Sequence, residues 1–122
     1  MQRPAEMTWS HPECTGNAPT KRSGHTVTLV GSDTLYVFGG NDFRKPPGPN
    51  NELYKLDMSQ ANEFFWQKME PAAGQRWPEP RSHHTAIVFD KTKIILFGGF
   101  RSSSIRYNDV WIFDTVTNEW SQ

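Results

Sequence analysis

The chain has 122 residues, room for one ordinary domain with a real core. Thirteen Lys and Arg balance thirteen Asp and Glu for a formal net charge of zero, which argues against a nucleic-acid backbone or an anionic membrane as the main partner, since both reward a basic excess. Hydrophobic residues are only 35% of the chain, yet five Trp, eight Phe and three Tyr bring the aromatic share to 13%, so the core rests on a few large side chains.

Cys14 is the lone cysteine, which excludes an internal disulfide and makes a reducing, cytoplasmic or nuclear setting the expectation. Met1–Met7 holds no apolar signal region, and runs such as Ile94–Phe97 are far too short to span a bilayer. In chain order, Met7-Thr-Trp9-Ser10 reads as a short strand carrying a Trp, followed by a Pro/Gly connector to Arg22. Thr26–Val30 and Leu35–Phe38 are β-branched or aromatic runs split by Gly31-Ser-Asp33, a hairpin signal. After Gly39-Gly40 comes a polar loop, Asn41–Asn50, in which the prolines from Pro46 to Pro49 act as stiffeners. Leu53–Leu56 is a third strand ending at Asp57, and a fourth carries Trp66.

The order then begins again. Thr85–Phe89 and Lys93–Phe97 flank Asp90-Lys-Thr92, Gly98-Gly99 precedes the loop Phe100–Arg106, and Val110–Phe113 leads to Asp114 and Trp120. No window sustains a helical period. The strands are continuously apolar (Leu-Tyr-Val-Phe, Ile-Ile-Leu-Phe, Val-Trp-Ile-Phe), so both of their faces are expected to be covered.

Self-comparison makes this a tandem repeat. Arg22-Ser-Gly-His-Thr26 is echoed 59 residues later by Arg81-Ser-His-His-Thr85, and Thr34–Gly40 at the same offset by Lys93–Gly99. Asn51–Asp57 is echoed by Asn108–Asp114 at an offset of 57, and Asn62–Trp66 by Asn118–Trp120. With this order the chain resembles the kelch family: Pro-x-x-Arg-x-Gly-His, two strands ending in Gly-Gly, a strand ending in Asp, then Trp. Three departures stand out: His83 replaces the Gly24 of the first unit, Leu56 and Phe113 replace the usual Tyr, and the first unit's last turn is longer.

The resemblance implies an all-β fold, kelch-type β-propeller blades of four antiparallel strands, with residues 21–70 and 71–122 as two repeats. Residues 1–20 would supply the fourth strand of a preceding or closing blade plus a connector, which in the family often makes the N-terminus the closing strand. A ring needs roughly four to eight blades, so about two blades make an incomplete ring. The remaining blades would come from the rest of a longer chain or, as a minority expectation, from further copies. Two blades alone should expose an apolar outer face.

The propeller scaffold puts recognition in the loops after each Gly-Gly pair. Asn41, Asp42, Phe43 and Arg44 in the first, and Phe100, Arg101, Ser102 and Arg106 in the second, place an aromatic beside an Arg, a composition suited to interface hot spots and to a partner's carboxylates. Similar kelch proteins grip peptides or chain ends, often acidic, including as substrate adaptors of ubiquitin ligases. Residues that recur in both units belong to the scaffold: Arg22 and Arg81, His25 and His84, Gly39-Gly40 and Gly98-Gly99, Asp57 and Asp114, Trp66 and Trp120.

Catalysis is the weaker expectation, although some kelch-like propellers sit in a copper oxidase or in sugar-acid isomerases. His83 and His84 are adjacent and should point to opposite faces, while His11-Pro-Glu-Cys14 is a single ligand pair. Nucleophile-elbow, P-loop and dinucleotide motifs are missing. No metal or cofactor is expected, and the partner is a protein or peptide rather than nucleic acid or membrane. The alternatives are the non-catalytic propeller part of a larger enzyme and a purely architectural scaffold.

Overall fold

The computed structural model describes residues 6–44 and 47–122, and every regular element in them is a strand. In chain order these are β1 (Glu13–Gly16), β2 (Arg22–Ser23), β3 (Thr26–Val30), β4 (Thr34–Phe38), β5 (Asn41–Asp42) and β6 (Gly48–Pro49). They continue as β7 (Leu53–Gln60), β8 (Glu63–Met69), β9 (Thr85–Phe89), β10 (Lys93–Phe97), β11 (Val110–Asp114) and β12 (Glu119–Ser121). The first sheet has the order β1-β8-β7-β4-β3 and the second β12-β11-β10-β9, while β2-β5-β6 form a small ribbon. Within each repeat the four strands form an antiparallel meander.

Register decides which side chains meet. In the first sheet Thr26, Phe38, Leu53 and Met69 lie opposite one another across four strands, and Thr28, Tyr36 and Lys55 form the next row on that face. The second sheet lays the row Ile94, Val88 and Phe113, with Trp120 opposite Phe113, against it. The joint is aromatic: Tyr36 meets Phe113 with ring centres 5.7 Å apart, and Phe38 meets Trp120 at 5.2 Å. Leu53, Leu96 and Trp111 complete the core. Burying each such side chain contributes about 2–3 kcal/mol relative to leaving it in water, so the joint between blades is the main hydrophobic term. The continuous apolar runs are thereby explained, because each strand has one face in this joint or in an equivalent position on an outer side.

Several details differ from the sequence expectation. Met7–Ser10 forms no strand, and Trp9 is wholly exposed. The N-terminal strand lies instead at Glu13–Gly16, where β1 runs parallel to β8 along the outer edge of the first blade. A strand forms where a ladder partner stands, and β8's free edge offers one to residues 13–16. The loop after Gly40 is partly ordered as β5 and β6, with Gly48-Pro49 pairing to Asn41-Asp42. Pro46, one of the expected stiffeners, lies outside the described residues. The first unit's extra turn residues extend the β7–β8 hairpin to a Gln60–Glu63 pair, past an irregularity after Asp57. Among the described residues no helix is long and apolar enough to cross a membrane.

Gly39 marks how tightly the blades approach. It sits at φ 65°, and a Cβ there would lie 2.8 Å from the Arg81 carbonyl oxygen and 2.9 Å from the His84 ring. Gly31, in the β3–β4 turn at φ 66°, faces open space. Gly31→Ala is therefore expected to lose only the backbone term of about 1–2 kcal/mol. Gly39→Ala should lose roughly 1–3 kcal/mol more through overpacking. Urea midpoints check this, and equal losses would show a looser joint than these distances describe.

Candidate functional site

The end of the blades at which the Gly-Gly pairs lie is built around two arginines. Arg81, just before β9, is completely buried. Its guanidinium donates to the Gly98 carbonyl at 3.0 Å and to both carboxylate oxygens of Asp109 at 2.6 and 3.0 Å, and it lies over the Tyr107 ring at 4.1 Å. A bidentate fork of this kind fixes both partners in direction as well as distance. Its backbone works too, since Arg81 N–H donates to Asn50 O at 3.1 Å and Gly40 N–H donates to Arg81 O at 2.9 Å. One residue thus holds its own blade's loop and ties it to the loop of the blade before.

Arg22 repeats the arrangement in the first unit. It donates to Gly39 O at 3.3 Å, to Asn50 Oδ1 at 3.2 Å and to Glu52 at 3.1 Å, and its guanidinium lies 5.3 Å from the Tyr54 ring centre. Glu52 is the equivalent of Asp109. Neither carboxylate was singled out from sequence, although each stands second in a repeated block (Asn51-Glu52, Asn108-Asp109). A carboxylate recurring at a fixed distance after a recurring Arg was the available signal.

The two loops that follow the Gly-Gly pairs differ in a way their shared Phe-Arg motif hides. Arg44 is tied down: its Nε donates to Asp42 at 2.8 Å and its guanidinium reaches Glu52 at 2.7 Å. Asp42 is buried, also accepts from Thr20 at 3.1 Å, and lies below the usual carboxylate range because of the Arg44 bond. Burial pushes Glu52 upward, but bonds from Arg44, Lys68 and Arg22 outweigh it and hold Glu52 low. Arg44 still leaves 47% of its side chain exposed. Phe43 projects into solvent beside a shallow cleft lined by Pro19, Thr20 and Lys21, and Asn41 sits half-buried in the ribbon.

In the second loop Phe100 is half-buried, stacked on the His83 ring at 4.9 Å, with the Arg106 guanidinium over the Phe100 ring at 5.4 Å. Arg101 and Arg106 are exposed, and among the described residues neither has an ion-pair partner. Ser102 holds the loop's turn by accepting from Ile105 N–H at 3.1 Å. His83 has φ 59° where its counterpart Gly24 has φ 71°. The backbone shape survives the substitution, because His tolerates the left-handed region better than most side chains.

The other recurring residues fall as follows. Asp57 and Asp114 accept from the N–H groups of Ser59 and Val116, both at 2.9 Å, and so shape the turns after β7 and β11. Trp120 fills the joint between blades, whereas Trp66 is only half-buried because no second sheet covers its face among the described residues. His84 is buried, pairs with Thr26 Oγ1 at 2.8 Å and packs edge-on against Phe38, while its equivalent His25 is exposed. Gly98 and Gly99 take positive φ like Gly39 and Gly40. Among the described residues no group of three or more His, Cys, Asp and Glu could hold a metal ion.

This geometry defines two blades of a kelch-type β-propeller. The chain matches the KLHDC2/KLHL20/DRC7 Kelch-repeats domain over residues 2–122, and it belongs to the kelch-repeat family. Among curated relatives, the flagellar outer arm dynein alpha chain of Chlamydomonas reinhardtii is 37% identical over 114 residues, covering 93% of this chain and 2% of that protein. The N-(sulfonatooxy)prop-2-enimidothioate sulfolyase of Thlaspi arvense is 37% identical over 107 residues, 86% of this chain and 28% of that protein. The Rab9 effector protein with kelch motifs of Bos taurus is 33% identical over 107 residues, 88% of this chain and 27% of that protein. The chain thus spans less than a third of each relative. A dynein chain, a sulfolyase and a Rab9 effector share the repeat, and they carry names of different kinds.

Two predictions follow the buried groups. Arg81→Met leaves Asp109 without its counter-charge and should cost about 3–5 kcal/mol, while adding Asp109→Leu should restore a large part of that loss. Denaturant melts of the four-member cycle check this, and additive losses would show that the pair is not coupled.

The second concerns pH. His84 has its pKa pushed down from 6.5 to about 4, by burial first and by the Arg81 charge second. Nδ1 is buried with no partner, so the doubly protonated ring would carry an unpaired N–H there. The unfolded chain therefore takes up this proton first as pH falls. The contribution is whole above about pH 6.5 and is lost progressively towards pH 4, by about 3 kcal/mol in all. Urea midpoints at several pH values should show this slope and its flattening in His84→Gln.

Proposed function

We propose that this chain is a partner-binding part of a kelch propeller, which captures an acidic segment of another protein at the end carrying the Gly-Gly loops. The observation that supports it is the contrast between the two loops. Arg44 is engaged by Asp42 and Glu52, whereas Arg101 and Arg106 stand exposed beside Phe100 with no internal carboxylate among the described residues. An exposed guanidinium next to a fixed aromatic can pair bidentately with a carboxylate while the ring packs against the partner's apolar atoms. Exposed Phe43 and Ile105 add apolar contact at the same end. Service as a substrate adaptor, of a ubiquitin ligase for example, is one form such capture takes. A cytoplasmic or nuclear setting goes with this proposal, since the exposed Cys14 thiol is free.

A second reading has one specific support, the likeness to a sulfolyase. In that case these blades would be the propeller part of a larger enzyme, and loop changes would act on turnover.

Binding to an array of acidic, neutral and basic peptides separates these readings. Acidic peptides should bind best and weaken as salt rises. Arg101→Ala with Arg106→Ala should weaken them at least about tenfold, a loss of about 1.4 kcal/mol. Arg44→Ala should act mainly on stability. If the double variant binds acidic peptides as the parent does, the proposed surface is wrong.

A further inference from the structure

His83 stands where the backbone favours glycine. Its φ is 59°, in the left-handed region, and its counterpart in the first unit is Gly24 at φ 71°. Glycine enters that region freely, whereas a histidine there carries some strain even though it tolerates the region better than most side chains. The ring is exposed and lies outside the buried core. Strained backbone of this kind gathers at binding sites, where the side chain it holds is put to use.

The surroundings fix the ring. Ser82, Phe100 and Arg106 form a small antiparallel ribbon through the bridges Ser82–Phe100 and Phe100–Arg106. The β2-β5-β6 ribbon of the first blade is built the same way, with Ser23 opposite Asn41 and Asn41 opposite Pro49. The first blade therefore carries Gly24, Asn41 and Pro49 where the second carries His83, Phe100 and Arg106. On one scaffold, three uncharged and non-aromatic residues give way to an imidazole, a phenyl ring and a guanidinium. The His83 and Phe100 rings lie nearly parallel, with planes 8° apart. The His83 ring also rests on Gly24 of the first blade, where an added Cβ would come within 3.1 Å of it.

Ser82 decides which ring nitrogen is left for a partner. It is 1% exposed, and its Oγ lies 3.0 Å from His83 Nδ1. A buried hydroxyl proton needs an acceptor, and Nδ1 is within reach. The neutral ring then carries its own proton at Nε2, which has no hydrogen-bond partner among the described residues.

We propose that His83 is a recognition residue, its Nε2–H donating to a carboxylate of the bound acidic segment, with Ser82 as the positioning residue that fixes the tautomer. This role rests on the capture of an acidic segment proposed above and adds selectivity to it. Arg101 and Arg106 attract negative charge from a distance, whereas the imidazole offers one directed bond beside the Phe100 ring. His83 thus selects, among acidic segments, those in which a carboxylate neighbours an apolar side chain that can pack on Phe100.

Peptide binding by the full-length chain at pH 8, with urea midpoints alongside, tests this. His83→Gly installs the first unit's residue and relieves the backbone, so its midpoint should hold or rise. Its affinity for a peptide with Glu beside Leu should fall about tenfold. That loss should be equal at low and high salt, since a neutral N–H is removed, whereas the loss in Arg101→Ala with Arg106→Ala should shrink as salt rises. His83→Gln keeps an N–H donor and should recover part of the affinity, while Ser82→Ala should weaken binding less than His83→Gly does. If His83→Gly binds as the parent does, this role is wrong and the capture of acidic segments still stands. A fall in binding matched by a fall in midpoint also overturns the role, because His83 would then be part of the scaffold. A parent chain indifferent to peptide charge overturns both.

Discussion

The structure depends on a positive charge held entirely out of water. Arg81 is tolerated there because Asp109, the Gly98 carbonyl and the Tyr107 ring together replace its hydration shell. A buried ion pair adds little net stability over an apolar substitute, but a broken one is severe. Its value here is geometric. The side chain fixes the loop between β10 and β11, and the backbone of the same residue fixes the loop between β4 and β7 of the other blade. Gly39 is small because Arg81 must come close. The aromatic joint then falls into one register.

The same logic separates scaffold from surface at the loop end. Each blade pairs its framework arginine with a recurring carboxylate, Glu52 or Asp109, and with a second one, Asp42 for Arg22 and Glu79 for Arg81, and what is left of the local charge decides how the loop behaves. In the first blade Asp42 and Glu52 draw in Arg44 and Lys68 as well, so the loop folds back as the β2-β5-β6 ribbon. In the second blade Asp109 is occupied by Arg81 and by Trp111 Nε1–H at 2.8 Å. Among the described residues neither Arg101 nor Arg106 has an ion-pair partner.

The repeat was legible because its blocks answer to steric needs that recur in every blade: Gly-Gly where backbones approach, continuous apolar strands where both faces are covered, Asp where a turn must be held. What depended on distant partners was not. Arg22 finds Glu52 and Arg81 finds Asp109 across a loop whose path no local pattern specifies. The Phe-Arg dipeptides look alike in the two loops, and only the surrounding charges make one internal and the other free. The repeat order points to a Trp-bearing strand at Met7–Ser10, yet Glu-Cys-Thr-Gly forms it, because the edge of β8 selects by position and not by propensity. His83 is the reverse case, a visible departure from the first unit that leaves the backbone almost unchanged.

The parallel pairing of β1 with β8 also bears on the order in which the blades are made. Glu13 reaches its partner Glu63 only after the whole first meander has been synthesised. Contacts so far apart in sequence form late, after the local hairpins β3–β4 and β7–β8 have closed. During synthesis the edge of β8 stays open until this strap arrives, and an open edge invites pairing with another nascent chain. The strap thus closes a sheet edge on the first blade that would otherwise stand open to pairing with another chain.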